Sequence, residues 1–189
     1  MRTIPSVTLF LKTPRLTLRA FTSDDLDEVV ALDNDPEVMR FLNGGRPVMR
    51  EEVRERTMPR LLGRGFWVAQ ARGTGAWLGW FSLEPPAGAE GWDEVELGYR
   101  LHRAAWGRGY ATEGARALVD KGFRELGVRR VTANTMTVNA GSRRVMEKAG
   151  LRFVRTFFEE WPEVIEGSEH GDVEYALTRP EWAKTAGPE

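Results

Sequence analysis

The chain has 189 residues, 41% of them hydrophobic and 29% charged, which is the make-up of one globular domain rather than a disordered or fibrous segment. Lys and Arg number 27 against 28 Asp and Glu, so the net charge is −1 and no basic face for nucleic acid is expected. With no cysteine and only His102 and His170, the sequence excludes disulfides, thiolate metal sites, a cysteine nucleophile and a three-histidine zinc site. It has no apolar run of the ~18 residues a membrane span needs. The N-terminal stretch, interrupted by Lys12, does not read as a signal peptide. A cytoplasmic protein is the simplest expectation.

In chain order, 15–21 alternates apolar and polar residues, with Leu16 and Leu18 on one face, and reads as a strand. Thr22-Ser23-Asp24-Asp25 supplies cap residues and first-turn acids for a helix over about 23–33. That helix stops at Asp33-Asn34-Asp35-Pro36, and Glu37–Phe41 adds one turn. Residues 48–63 read as a helix that Pro59 kinks or ends. Strands follow at 66–71, 76–83 and 93–100, the first two joined by a turn at Gly73-Thr74-Gly75. An amphipathic helix begins after Trp106–Thr112 and ends at Gly127. A β-branched strand covers 131–138, a short helix runs from Asn139 to a stop at Gly150, and strands at 151–158 and 172–178 complete the order. The tail 180–189 reads as frayed. Hairpin-linked strands mixed with crossover helices give an α+β domain whose sheet is mixed and mostly antiparallel, six- to seven-stranded and flanked by helices.

The stretch Trp106-Gly107-Arg108-Gly109-Tyr110-Ala111-Thr112 carries the most chemistry. Two glycines before a helix let backbone N–H groups approach an anion, and the helix dipole favours it there. Neither a dinucleotide fingerprint nor a P-loop is spelled out, so a plain tight turn is the alternative.

This stretch resembles the acyl-CoA loop of the GNAT (Gcn5-related) N-acetyltransferases, Gln/Arg-x-x-Gly-x-Gly/Ala, with Gly109 and Ala111 matching and Trp106 at the first position. A tryptophan there is the habit of the RimJ/RimL-like branch. TPRLTLRAF at 13–21, VELGYRL at 95–101 and Asn139-x-x-Ser142 followed by Glu147-Lys148-x-Gly150-Leu151 resemble the same branch, with Leu151 where the family has Phe. The resemblance covers about residues 12–180, leaving 1–11 and 181–189 as terminal extensions.

The resemblance implies acetyl-CoA as cofactor and a sheet splayed between its fourth and fifth strands, 94–101 and 131–138. It implies that Leu101, His102 and Arg103 meet the pantetheine arm. Arg108, Gly109, Tyr110, Ala111 and Thr112 would hold the pyrophosphate, Asn139 the arm again, and Arg143 or Arg144 the 3′-phosphate. The reaction implied is direct attack of an amine on the thioester, with an N–H near Leu101 steadying the oxyanion. Glu96 is the expected base, and a solvated or paired strand glutamate is its alternative, as for Glu94. Many relatives carry a Tyr where this chain has Met146, so Ser142 is the expected thiolate donor, with a helix cap as its alternative.

The acceptor is read as a small-molecule amine or a peptide α-amine. No metal, nucleic acid or membrane is expected, and a homodimer is compatible with the family. A non-catalytic acyl-CoA-binding or sensor module of the same fold is the competing reading. The acidic stretch 159–174 could draw a cationic substrate, or could be a solvated loop.

Overall fold

The computed structural model describes residues 9–86, 88–89, 91–158 and 164–186. Eight strands form one sheet. They are β1 (Leu9–Lys12), β2 (Leu16–Arg19), β3 (Phe66–Ala71), β4 (Trp77–Glu84), β5 (Glu94–Leu101), β6 (Arg130–Met136), β7 (Arg152–Phe157) and β8 (Asp172–Thr178). Their spatial order is β1-β2-β3-β4-β5-β6-β8-β7. Every neighbouring pair is antiparallel except β5–β6, which is parallel and holds only Glu94↔Arg130, Val95↔Val131 and Glu96↔Thr132 in register. The expected splay is therefore present, with its vertex at Glu96.

Helices cover both faces. On one lie α1 (Leu26–Asp33), α2 (Pro36–Asn43) and the helical run made of α3 (Arg50–Glu52), a π turn (Val53–Thr57) and α4 (Met58–Leu61). On the other lie α5 (Tyr110–Glu125) and α6 (Ala140–Lys148), while α7 (Arg179–Ala186) follows β8. Two buried clusters match these faces. Leu16, Leu18, Phe81, Leu83, Leu118, Phe123 and Tyr175 belong to the larger, under α5 and α6. Phe21, Val29, Val53, Met58, Leu61, Phe66 and Val68 form the smaller, under α1 and α4. Gly114 lets α5 sit close on β4, because a Cβ there would fall 2.3 Å from Phe81 Cζ.

Two readings of the sequence change and one is narrowed. Pro59 does not end the helical run but sits at an irregularity in it, in keeping with the kink alternative: it lies in the first turn of α4, directly after a π turn that accommodates its missing N–H. The N-terminal segment contributes β1, whose Phe10 ring stacks on Trp67 at 4.0 Å. The tail is helical rather than frayed to residue 186: Glu181 accepts from Thr178 N–H and Oγ1, and Trp182 Nε1 donates to Asp120 at 2.6 Å.

Candidate active site

The wedge between β5 and β6 opens beyond Glu96. His102 donates its N–H to Leu78 O of β4 at 2.9 Å. Alternation along the strand then turns the peptide groups of Tyr99 and Leu101 the other way, into the wedge. Trp106 Nε1 donates to Leu101 O at 2.8 Å, so that carbonyl is taken by the protein itself. The peptide groups of Tyr99 and the Leu101 N–H are what the wedge offers an extended guest.

The loop that follows β5 leads to a helix start open to anions. Gly107 and Gly109 have φ of 68° and 80°, left-handed values that favour glycine. Gly109 caps α5 without a side-chain bond, and the first intrahelical bond runs from Glu113 N–H to Gly109 O. The N–H groups of Tyr110, Ala111 and Thr112 thus sit at the positive end of a 16-residue helix without intrahelical acceptors. Arg103 and Arg108 are exposed beside them. This arrangement fits a pyrophosphate.

Arg15 fastens that loop. Its Nη1 donates to Arg108 O at 2.8 Å, its Nε to Glu113 Oε2 at 2.6 Å, and its guanidinium covers the Tyr110 ring. Thr13 Oγ1 donates to Glu113 Oε1 at 2.6 Å. Burial works to raise the Glu113 pKa, but the bonds from Thr13 and Arg15 outweigh it and hold the carboxyl below its ordinary value. A groove of about 770 Å³ runs from Gly109 and Thr112 along the outer flank of α5, with Lys12, Arg15, Arg116 and Lys148 on its walls; it lies outside the wedge.

The structure brings Glu96 and Ser142 to the two faces of the wedge. Glu96 is half-buried, pairs in register with Glu84 of β4 and Thr132 of β6, and shares the α1-side face with Arg100. Arg100 is ion-paired to the buried Asp33 of α1 and lies over the Trp80 ring. Ser142 stands in the first turn of α6, on the α5 side, where Tyr99 Oη is 2.9 Å from its Oγ and 3.0 Å from its carbonyl. Burial pushes the Tyr99 pKa up to about 12, against the opposing pull of its Ser142 bond.

The remaining expected residues serve locally. Asn139 caps α6, its Oδ1 accepting from Ser142 N–H at 3.2 Å while its Nδ2 donates to Thr135 Oγ1. Arg143 is held by Tyr175 Oη and Thr137 O, whereas Arg144 is exposed. The His102 ring lies on the α1 side, edge-on to Trp77 at 5.3 Å and 3.8 Å from Glu28. Glu94 is paired with Arg130, which also binds Glu174, and Glu174 in turn binds Arg155.

Within the acidic stretch, Glu159, Glu160 and Glu163 lie outside the described residues. Of the others, Glu166 meets Arg40 of α2 at 3.7 Å, Glu169 faces His170, and Asp172 is buried. Much of the described acidity is met by arginines, so attraction of a cationic substrate does not follow from it. Sequence reasoning missed Arg15 and Tyr99. Arg15 stood inside the quoted 13–21 motif, but its partners lie over ninety residues away.

A family model described as Acetyltransferase (GNAT) domain matches residues 15–152, which include the wedge, the glycine loop and Ser142. The chain belongs to the GNAT acetyltransferases. This GNAT chain is 37% identical to the FsC-acetyl coenzyme A-N(2)-transacetylase of Aspergillus fumigatus, over 94% of its own length and 80% of the relative's. A GNAT-family acetyltransferase from Bacillus anthracis superposes with a TM-score of 0.76 at 25% identity, covering 90% of this chain and 99% of that one. Spermidine N-acetyltransferase from Vibrio cholerae, solved with CoA and spermine, gives 0.74 at 16% identity with the same coverage, a likeness of fold. The GNAT chain is accordingly an N-acetyltransferase that draws on acetyl-CoA.

Proposed function

We propose that this enzyme acetylates the primary amine of a small molecule, by direct attack in a ternary complex, and that it is of the RimJ/RimL-like kind. The observation that carries the mechanism is the wedge itself, with Glu96 on one face and Ser142 on the other. The small-molecule reading draws on the relative named as an acetyl coenzyme A N(2)-transacetylase. Trp106 and the Asn139-x-x-Ser142 pattern support the branch.

Acetyl-CoA, when bound, supplies the thioester carbon that the amine attacks. The Tyr110–Thr112 N–H groups and Arg108 would hold the pyrophosphate, and the exposed Arg144 would meet the 3′-phosphate. The Tyr99 peptide groups and the Leu101 N–H would pair with the pantetheine amides, and an N–H on this edge would steady the carbonyl oxygen. Glu96 takes the proton that the amine must lose. The Ser142 hydroxyl donates a hydrogen bond to sulfur as the C–S bond breaks.

The test is thiol release from acetyl-CoA in the presence of a polyamine, an aminoglycoside, free amino acids and peptides with free α-amines. Turnover on a small amine is expected. Turnover confined to peptides would overturn the acceptor class, and its absence on every amine despite acetyl-CoA binding would favour a sensor.

A further inference from the structure

Tyr99 stands in the site, and the reaction above gives its side chain no task. It lies three residues beyond the last β5–β6 pair and faces α5, in register with Phe81. Its hydroxyl crosses from one arm of the wedge to Ser142, which follows the other arm. Of the chain's three tyrosines, Tyr175 is bonded to Arg143 and Glu147, and Tyr110 is stacked under Arg15 and Arg108.

The two contacts at Tyr99 Oη restrict where protons go. The Ser142 carbonyl only accepts, so a phenol proton placed there obliges Ser142 Oγ–H to point back at Tyr99. A phenol proton placed on Oγ leaves the serine proton free to turn elsewhere. The first arrangement wastes the serine as a donor, and the second readies it. A phenol proton donated to Oγ also polarises the serine O–H, making it a stronger donor. Because burial keeps the phenol protonated throughout the working pH range, it stays a donor and is not consumed.

We propose that Tyr99 is a positioning residue for Ser142: by donating to Oγ, its phenol aims the serine O–H, as a hydrogen-bond donor, at the sulfur of the departing thiolate. The balance of the step is simple. The new C–N bond forms, the C–S bond breaks with its electron pair on sulfur, Glu96 receives the amine proton and releases it to solvent, and the thiolate, held by the Ser142 hydrogen bond, takes one proton back from solvent, so the proton count closes. The inference rests on Ser142 as the thiolate's donor.

The experiment compares Y99F, S142A and the double variant with wild type, reading kcat, the acetyl-CoA KM and Tm. We expect kcat to fall roughly 100-fold in S142A, the scale of one lost donor to a developing anion. We expect a fall of about 10-fold in Y99F, the scale of one lost hydrogen bond. The acetyl-CoA KM should hold within about twofold, because binding is untouched. The double variant should be no slower than S142A, since the two hydroxyls act as one unit.

Full kcat in S142A would overturn the donor role and this inference with it. A slow S142A with full kcat in Y99F would overturn the inference alone. A Y99F effect confined to KM and Tm would make Tyr99 a mere strut, as would multiplicative losses in the double variant. If Y99F does not fold, 3-fluorotyrosine at 99 gives the same decision. Its more acidic phenol should add a high-pH fall in kcat that is lost in an S142A background, and an unchanged profile would overturn the inference.

Discussion

Glu96 and Ser142 were legible as residue types on recognisable motifs, and the fold carries them to opposite faces of one wedge. Their partners were not legible, because a hydrogen bond between residues 99 and 142 depends on how far two strands diverge. Arg15 was hidden for the same reason, while Asn139 could have been read from local spacing, since a cap acts within three residues. At this scale the decisive variant is Glu96→Gln. It keeps the shape and removes the carboxylate proposed as the base, so kcat at neutral pH should fall by about 100-fold with the acetyl-CoA affinity unchanged. Retention of full kcat across pH 6–9, read by thiol release, would remove Glu96 from the mechanism.

Among the elements, those with strong periodicity or clear punctuation were readable. The strands β3, β4 and β5 and the helices α5 and α6 stand within about two residues of their expected bounds. The misses were β1, only four residues long, and α7, whose sequence lacks a strong apolar stripe and whose anchoring comes from Asp120 on α5.

The start of α1 rests on Asp25, which is 4% exposed and accepts from the Arg19 guanidinium and the Thr22 N–H. Burial opposes its ionisation, but these partners outweigh it, and its pKa lies below the ordinary value. Such a carboxylate stabilises the fold above its unfolded pKa, about 4, and loses that contribution as pH falls through the lower folded value. Asp25→Asn should cost on the order of 3 kcal/mol at pH 7, because it leaves Arg19 without its ion partner. In urea unfolding the gap to wild type should narrow only below about pH 4, and a gap constant down to pH 2 would contradict the assignment.

For the whole molecule, the α+β class and the wedge were readable. The inversion of β7 and β8 at the sheet's far side was not, and with it went the Glu94–Arg130–Glu174–Arg155 ladder across that face. Acetyl-CoA should bridge both arms of the wedge and the start of α5, so its binding should stabilise the entire fold. At 100 times Kd the gain is about 2.7 kcal/mol, which raises Tm by roughly 5–10 °C for a chain of this size. ATP and NAD should give no comparable rise, since neither has an arm to fill the wedge. An equal shift with ATP would locate the binding in the glycine loop alone.

The wedge also means that this sheet keeps an unsatisfied edge in its interior. Edges on a sheet's outer margin recruit other chains and must be blunted against aggregation. This one lies between helices on both faces and closes to a vertex at Glu96. Its Tyr99 peptide groups and Leu101 N–H suit a guest with peptide-like amides spaced along it. An edge kept inside the sheet in this way serves a ligand and not a neighbouring chain.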